Sequence, residues 1–274
     1  MDLFGPANPI TVAIANLHRG LSVSVPIEPN HRDFYDDSGA STVMTSVLIT
    51  GSNRGLGLEW ARQCAGAGWR VIATCRYPEE ADDLAKLADQ FRSVRLHRLD
   101  VTNAGQIVAL AEELRETPID ILLNNAGVYP EKFLPLNAPL NFEDWAYTFQ
   151  VNAMAPLRMA KAFVELLASS DKRLVVAISS HMGSIAEIDG PGSYFYRSSK
   201  AALNAVMKGL SLEFKPLNIG VLLLHPGWVQ TRMGGPGAPL SPEQSVQGMR
   251  RLVDEFTLAD TGRFFRYNGT EIPW

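Results

Sequence analysis

The sequence predicts an α/β fold: one doubly wound parallel sheet with helices on both faces. Three observations predict it. Short, β-branched and almost continuously apolar runs recur along the chain, helix-length segments separate them, and a glycine-rich turn follows the first run. Strands with no polar alternation are those buried on both faces, and parallel neighbours need a crossover long enough to hold a helix.

The elements follow in order. "SVLIT", "RVIATC", "SVRLHRLDV", "DILLNN", "RLVVAIS" and "IGVLLLHP" read as strands, with "FFRYNG" as a last one before the "TEIPW" tail. Helical stretches such as "GLEWARQCAGAG" and "AGQIVALAEELRE" lie between them. Residues 1–43 are rich in Pro, Gly, Asn and Asp and have no sustained period. They are expected to be a mobile leader, or an upstream extension whose natural start is Met44. Residues 44–274 are expected to form the single domain.

Composition narrows the function. A 274-residue chain with a formal net charge of -4 and no basic run gives no footprint for nucleic acid. The two cysteines, Cys64 and Cys75, have neither metal-ligand nor redox spacing and read as buried reduced thiols of a cytoplasmic protein. No apolar run approaches a membrane span, and the N-terminus lacks the charged start and apolar core of a secretory signal. His97, His181 and His225 share no helix spacing suited to a metal, so none is expected. Ser180 next to His181 does not suggest a hydrolase, because no strand-to-helix G-x-S-x-G elbow is present.

Directly after the first strand, "TGSNRGLG" brings Gly51, Ser52, Asn53, Arg54, Gly55, Leu56 and Gly57 to the start of the first helix. A strand, a tight turn and a helix N-terminus let backbone N–H groups and the helix dipole face a pyrophosphate. The missing Gly-Lys-Ser/Thr excludes an NTPase phosphate loop. Where the second strand ends, an acid would bind a ribose 2′-OH and a base a 2′-phosphate. Cys75 occupies that acid slot, with Arg76 next to it and Arg54 in the turn, so NADP(H) is the expected cofactor. The alternative leaves both arginines solvated beside Glu79 and Glu80.

The reacting groups are sought in "GSYFYRSSKAALN". At about 100° per residue, Tyr196 and Lys200 fall within roughly 40° of each other on a helix, whereas Tyr194 and Lys200 stand about 120° apart. A carbonyl that accepts hydride becomes an alkoxide and needs a proton donor, and a tyrosine beside an ammonium that lowers its pKa supplies one. Tyr194 is then a helix-start residue that packs or shapes the cleft.

The motifs "TGSNRGLG", "LDVT", "NNAG", "VNAMAP", "ISSHMGS", "YRSSK" and "PGWVQT", in that order, resemble those of the short-chain dehydrogenase/reductase family, a Rossmann fold. The resemblance covers nearly all of Met44–Trp274, and the "ISSHMGSIAE" block and the chain's ending resemble its sniffer-type carbonyl reductase and C-factor-like branch. It implies Tyr196 as acid/base, Lys200 as its electrostatic partner and ribose ligand, Ser180 as the hydroxyl that orients the carbonyl, and Asn152 at a helix irregularity with a proton-relaying water. The segment from Ser180 to Tyr196 is a few residues longer than usual, and Ser179 and Ser184 compete for the serine role. Strand alternation turns Ser179 away, and Ser184 lies farther into the loop.

The same resemblance places the Asp100 side chain and Val101 backbone at the adenine, and Asn125, Ala126 and Gly127 beneath the cofactor. It places Pro226, Gly227, Val229 and Thr231 on the nicotinamide side. It implies a homodimer or homotetramer acting on a small carbonyl or alcohol substrate. Tyr129, Phe133, Phe195, Trp228 and Met233, taken as loop residues, suggest a hydrophobic one. The rival reading is a catalytically idle NADP-binding signalling protein. A sugar-nucleotide epimerase is disfavoured by the spacing of the glycine turn.

Overall fold

The computed structural model describes residues 44–274, so the expected leader lies outside the described residues. Seven strands form one sheet: β1 Ser46–Thr50, β2 Arg70–Cys75, β3 Val94–Arg98, β4 Ile121–Asn124, β5 Leu174–Ile178, β6 Gly220–His225 and β7 Arg263–Arg266. Their order is β3-β2-β1-β4-β5-β6-β7, and every pairing is parallel. The order reverses between β1 and β4, where open α/β sheets place their ligands beyond the strand C-termini.

Alternation along each strand feeds two cores. Leu48, Ile72, Leu122, Val175 and Leu223 join one. That face is covered by α3 (Ala104–Glu113), α5 (Ala155–Ala162) and the long α7 (Tyr194–Phe214). Val47, Ile49, Val71, Leu123, Val176 and Leu224 join the other, under α1 (Gly55–Gly66), α2 (Asp82–Gln90) and α8 (Pro242–Asp254). The remaining helices, α4 (Phe142–Phe149) and α6 (Val164–Ala168), flank α5. Between α4 and α5 lies a π-helical turn, Gln150–Met154, with the buried Asn152 at its centre. Cys64 and Cys75 are free and buried. Among the described residues no helix is long and apolar enough to cross a membrane.

The end of the sheet away from the glycine turn is tied by one buried carboxylate. Asp120 accepts from Ser46 N at 2.8 Å and Ser46 Oγ at 2.9 Å, and from the N–H groups of Asp171 and Lys172 at 3.3 and 3.2 Å. It thus joins the starts of β1 and β4 to the turn entering β5. Asp120→Ala strands these donors and is expected to cost about 3 kcal/mol, seen as a Tm lower by several degrees with dinucleotide affinity unchanged. An unaltered Tm would show that water takes over the role.

Candidate active site

The glycine turn leaves no room for a side chain at Gly57. A Cβ on Gly57 would stand 2.1 Å from the Gly51 carbonyl oxygen and 2.5 Å from Asn125 Nδ2, so only glycine lets α1 start this close to the turn. The Asn125 amide donates to the carbonyls of Thr50 and Gly51 at 2.8 and 3.0 Å, and Thr50 Oγ1 accepts from the N–H groups of Asn125 and Ala126, both at 3.0 Å. The segments after β1 and β4 are thereby locked together at the reversal point.

At the end of β2 a polar hollow of about 230 Å³ is lined by Asn53, Arg54, Arg76, Tyr77 and Glu80. Burial, and then repulsion from Arg232 and Arg76, hold the Arg54 guanidinium below its ordinary pKa. Glu79 is engaged elsewhere, 2.7 Å from Arg98. Arg232 is absent from the sequence reading. The visible signal is a charged residue directly after Thr231, whose methyl group faces Gly55, 3.5 Å from where a Cβ would be. Asp100 closes its own turn, accepting from Thr102 N and Oγ1 at 2.9 and 2.7 Å, with the buried Val101 between them.

Tyr196, Lys200, Ser180 and Asn152 converge near the ends of β4 and β5. Tyr196 and Lys200 share a face of α7 and are buried, whereas Tyr194 is exposed. Lys200 Nζ lies 5.7 Å from the Tyr196 ring centre and donates to the Ile178 carbonyl at 2.8 Å. Asn152 donates from Nδ2 to the Val128 carbonyl and Ser199 Oγ at 2.9 and 3.0 Å, and its Oδ1 accepts from Val128 N at 2.9 Å. A Cβ on Gly127 would meet Asn152 Oδ1 and Lys200 Nζ at 3.4 and 3.7 Å, so this residue adjoins both. Ser180 follows β5, where its Oγ accepts from Met182 N at 3.2 Å, and it lies near enough to the Tyr196 phenol to favour its ionised form. Ser179 Oγ is instead paired with Asn204 Oδ1 at 2.6 Å, and Ser184 is buried deeper in the loop. Gly183 lets this loop lie on the helix, because a Cβ there would stand 2.8 Å from the Lys200 backbone.

Burial dominates the electrostatics. It lowers Lys200 to about 8, and it raises the Tyr196 phenol above its ordinary range, opposed by the nearby Ser180. The expectation of a phenol lowered by its lysine neighbour is therefore corrected: desolvation of the buried ring is the dominant effect, and it favours the neutral phenol. Phe195 is also corrected. It is no loop residue but a buried helix residue, stacked on Trp145 with ring centres 5.2 Å apart. Tyr129 does not wall the cleft freely, being stacked on Tyr196 at 4.1 Å and 9°.

Around the mouth, Phe133, Leu134, Leu136, Tyr194, Trp228 and Met233 expose apolar surface. The loop after β4 reaches the loop after β6 through one acceptor: Lys132 Nζ and Trp228 Nε1 both donate to the Gly234 carbonyl, at 3.0 and 2.8 Å. Pro226 and Gly227 begin that second loop, where the Pro226 carbonyl accepts from Ser245 Oγ at 2.6 Å and Val229 is buried. The sequence also gave no sign that His181 Nδ1 and His225 Nε2 meet at 3.1 Å, joining the loop that carries Ser180 to the end of β6.

A glycine turn on β1, a hollow lined by two arginines and a buried Ser-Tyr-Lys cluster at a parallel-sheet reversal define a nucleotide-binding α/β protein. The chain belongs to the short-chain dehydrogenase family, whose model matches residues 45–238. The C-signal protein of Myxococcus xanthus is 43% identical over 166 residues, 61% of this chain and 99% of that relative. Among solved structures, the carbonyl reductase Sniffer of D. melanogaster matches with a TM-score of 0.78 at 33% identity, over 84% of this chain and 100% of that one. An NADPH-bound carbonyl reductase from chicken fatty liver matches with a TM-score of 0.77 at 30% identity, over 84% of this chain and 99% of that one.

The histidine pair is expected to make the fold acid-sensitive. Desolvation, aided by His181 and Arg266, depresses His225 from 6.5 to about 3, and desolvation with Arg266 also lowers His181. The unfolded chain takes up these protons near the ordinary value and the folded one resists. The pair's stabilisation is thus full above about pH 6.5 and is lost as pH falls toward 3. Tm is expected to drop steadily on acidification, and His225→Gln to flatten that drop. Identical acid limbs for the two proteins would contradict this assignment.

Proposed function

We propose that the protein is an NADPH-dependent carbonyl reductase that also runs the reverse alcohol oxidation. The observation that carries this reading is the buried Tyr196 held against Ser180 with Lys200 on the same helical face. A solvated ion pair would serve a surface; a phenol and an ammonium taken out of water at a ligand crevice suit proton delivery to a polarised oxygen.

The residues present fit the dinucleotide. The turn Gly51–Gly57 would hold the pyrophosphate by backbone N–H groups at the start of α1, and Arg54, Arg76 and Arg232 would receive the 2′-phosphate end. Asp100 and Val101 would border the adenine, Asn125–Gly127 would pass beneath, and Pro226, Gly227, Val229 and Thr231 would border the nicotinamide. When bound, the cofactor supplies hydride to the carbonyl carbon. Ser180 orients the carbonyl oxygen by hydrogen bonding, and Tyr196 Oη donates the proton that this oxygen takes up. Burial keeps the phenol protonated at neutral pH, as reduction requires. The positive charge of Lys200 then stabilises the phenolate left behind, and Asn152 holds the π-helical turn beside the lysine. The apolar mouth favours a hydrophobic aldehyde or ketone.

The similarity to C-signal favours, as a second reading, a protein that signals without turnover. The same experiment separates the two. Tyr196→Phe is expected to keep its fold and NADPH affinity while turnover of aldehydes, α-diketones and quinones falls at least about 100-fold; Tyr194→Phe should change turnover little. Wild-type protein inactive on the whole panel would favour the signalling reading.

Cofactor choice is tested separately by titrating each dinucleotide. Arg76→Ala should weaken NADPH binding roughly tenfold or more and leave NADH unchanged. Equal effects on both would remove the phosphate role.

A further inference from the structure

Helix α7, which carries Tyr196 and Lys200, begins without a cap of its own. Its N-cap residue Ser193 sits in the left-handed region at φ 55°, and its side chain makes no capping bond. The Ser193 hydroxyl is engaged instead by the hydroxyl of Tyr129. The first N–H groups of a helix have no acceptors within it, and one of these donors is the N–H of Tyr196. Its acceptor comes from 65 positions away in the chain: Glu131 Oε1, at 2.7 Å.

The contact is part of a larger seating. Tyr129, two residues earlier, stacks on the Tyr196 ring, and Lys132, one residue later, binds the Gly234 carbonyl. The other carboxylate oxygen, Glu131 Oε2, is buried without a protein partner, so the group is turned inward rather than to solvent. One short segment after β4 therefore holds Tyr196 by backbone and by ring, and at the same time reaches the loop after β6.

We propose that Glu131 is a positioning residue for the reaction: its carboxylate caps α7 from outside and, as segment 129–132 seats, sets the register and the electrostatic field of the Tyr196 hydroxyl. This rests on the reading of Tyr196 as proton donor. The polar groups facing Tyr196 are Ser180 from the loop after β5, Tyr129 and Glu131 from the loop after β4, and Lys200 from α7 itself. Ser180 favours the phenolate, and the charge of Glu131 disfavours it.

Two variants and three readouts test the inference. Glu131→Ala removes the acceptor; kcat is expected to fall about tenfold or more, with the NADPH Kd within about twofold of wild type. Amide hydrogen exchange in a peptide covering residues 193–199 should accelerate, a readout that needs no turnover. Glu131→Gln keeps an acceptor oxygen but no charge, so it should restore most of kcat at its own optimum. It should also move the alkaline limb of carbonyl reduction to lower pH by roughly half a unit or more. Wild-type kcat and exchange in Glu131→Ala, or a Glu131→Gln pH profile superimposable on wild type, would overturn the proposal. Full turnover in Tyr196→Phe would sink the underlying reading, whereas an inactive Tyr196→Phe beside an unimpaired Glu131→Ala overturns this inference alone.

Discussion

Keeping the Lys200 ammonium out of water is the constraint on which the rest of the site depends. An ammonium in a protein interior is costly unless it finds acceptors, and this one finds the Ile178 carbonyl at the end of β5. Reaching it requires α7 to lie close against the β5 loop, which Gly183 permits by carrying no side chain. It also requires an open floor at Gly127, and Asn152 in the π-helical turn fixes the backbone on the far side of that floor. Glycine, asparagine and the helix irregularity are therefore consequences of one buried charge as much as separate features.

The sheet explains why such a cluster forms here and not along the strands. Both faces of β1, β4, β5 and β6 are committed to apolar packing. Polar chemistry is displaced to the strand ends, and only at the β1/β4 reversal do the following segments diverge enough to admit a ligand. Asp120 closes the opposite end with the same economy, satisfying four donors with one carboxylate and leaving the glycine-turn end free to vary.

Much of this was legible in the residues. Strand identity followed from continuous apolar runs, and the phase of Tyr196 and Lys200 followed from helical geometry alone. The run "SVRLHRLDV" reads longer than β3 because an edge strand ends where its partner does, at the Cys75–Arg98 pairing. Phe195 misled because aromatic residues beside a loop look like cleft walls until the helix phase turns one inward. The phenol pKa could not be read, since it depends on how completely the site is desolvated. Arg232, Glu131 and the His181–His225 pair were hidden for a different reason: each lies against a group from a distant part of the chain, and no local spacing encodes which parts meet.

The shared acceptor between the loops after β4 and β6 bears on how this scaffold can diverge. Lys132 and Trp228 converge on a main-chain oxygen, which no substitution at that position can delete. Gly234 itself is fixed, because a Cβ there would stand 1.7 Å from the Val229 oxygen. The fastening is thus separate from the apolar side chains at 133–136 that rim the entrance. Mutational drift can recontour that rim, trading one clientele of molecules for another, while the two loops stay fastened above an unchanged reaction centre.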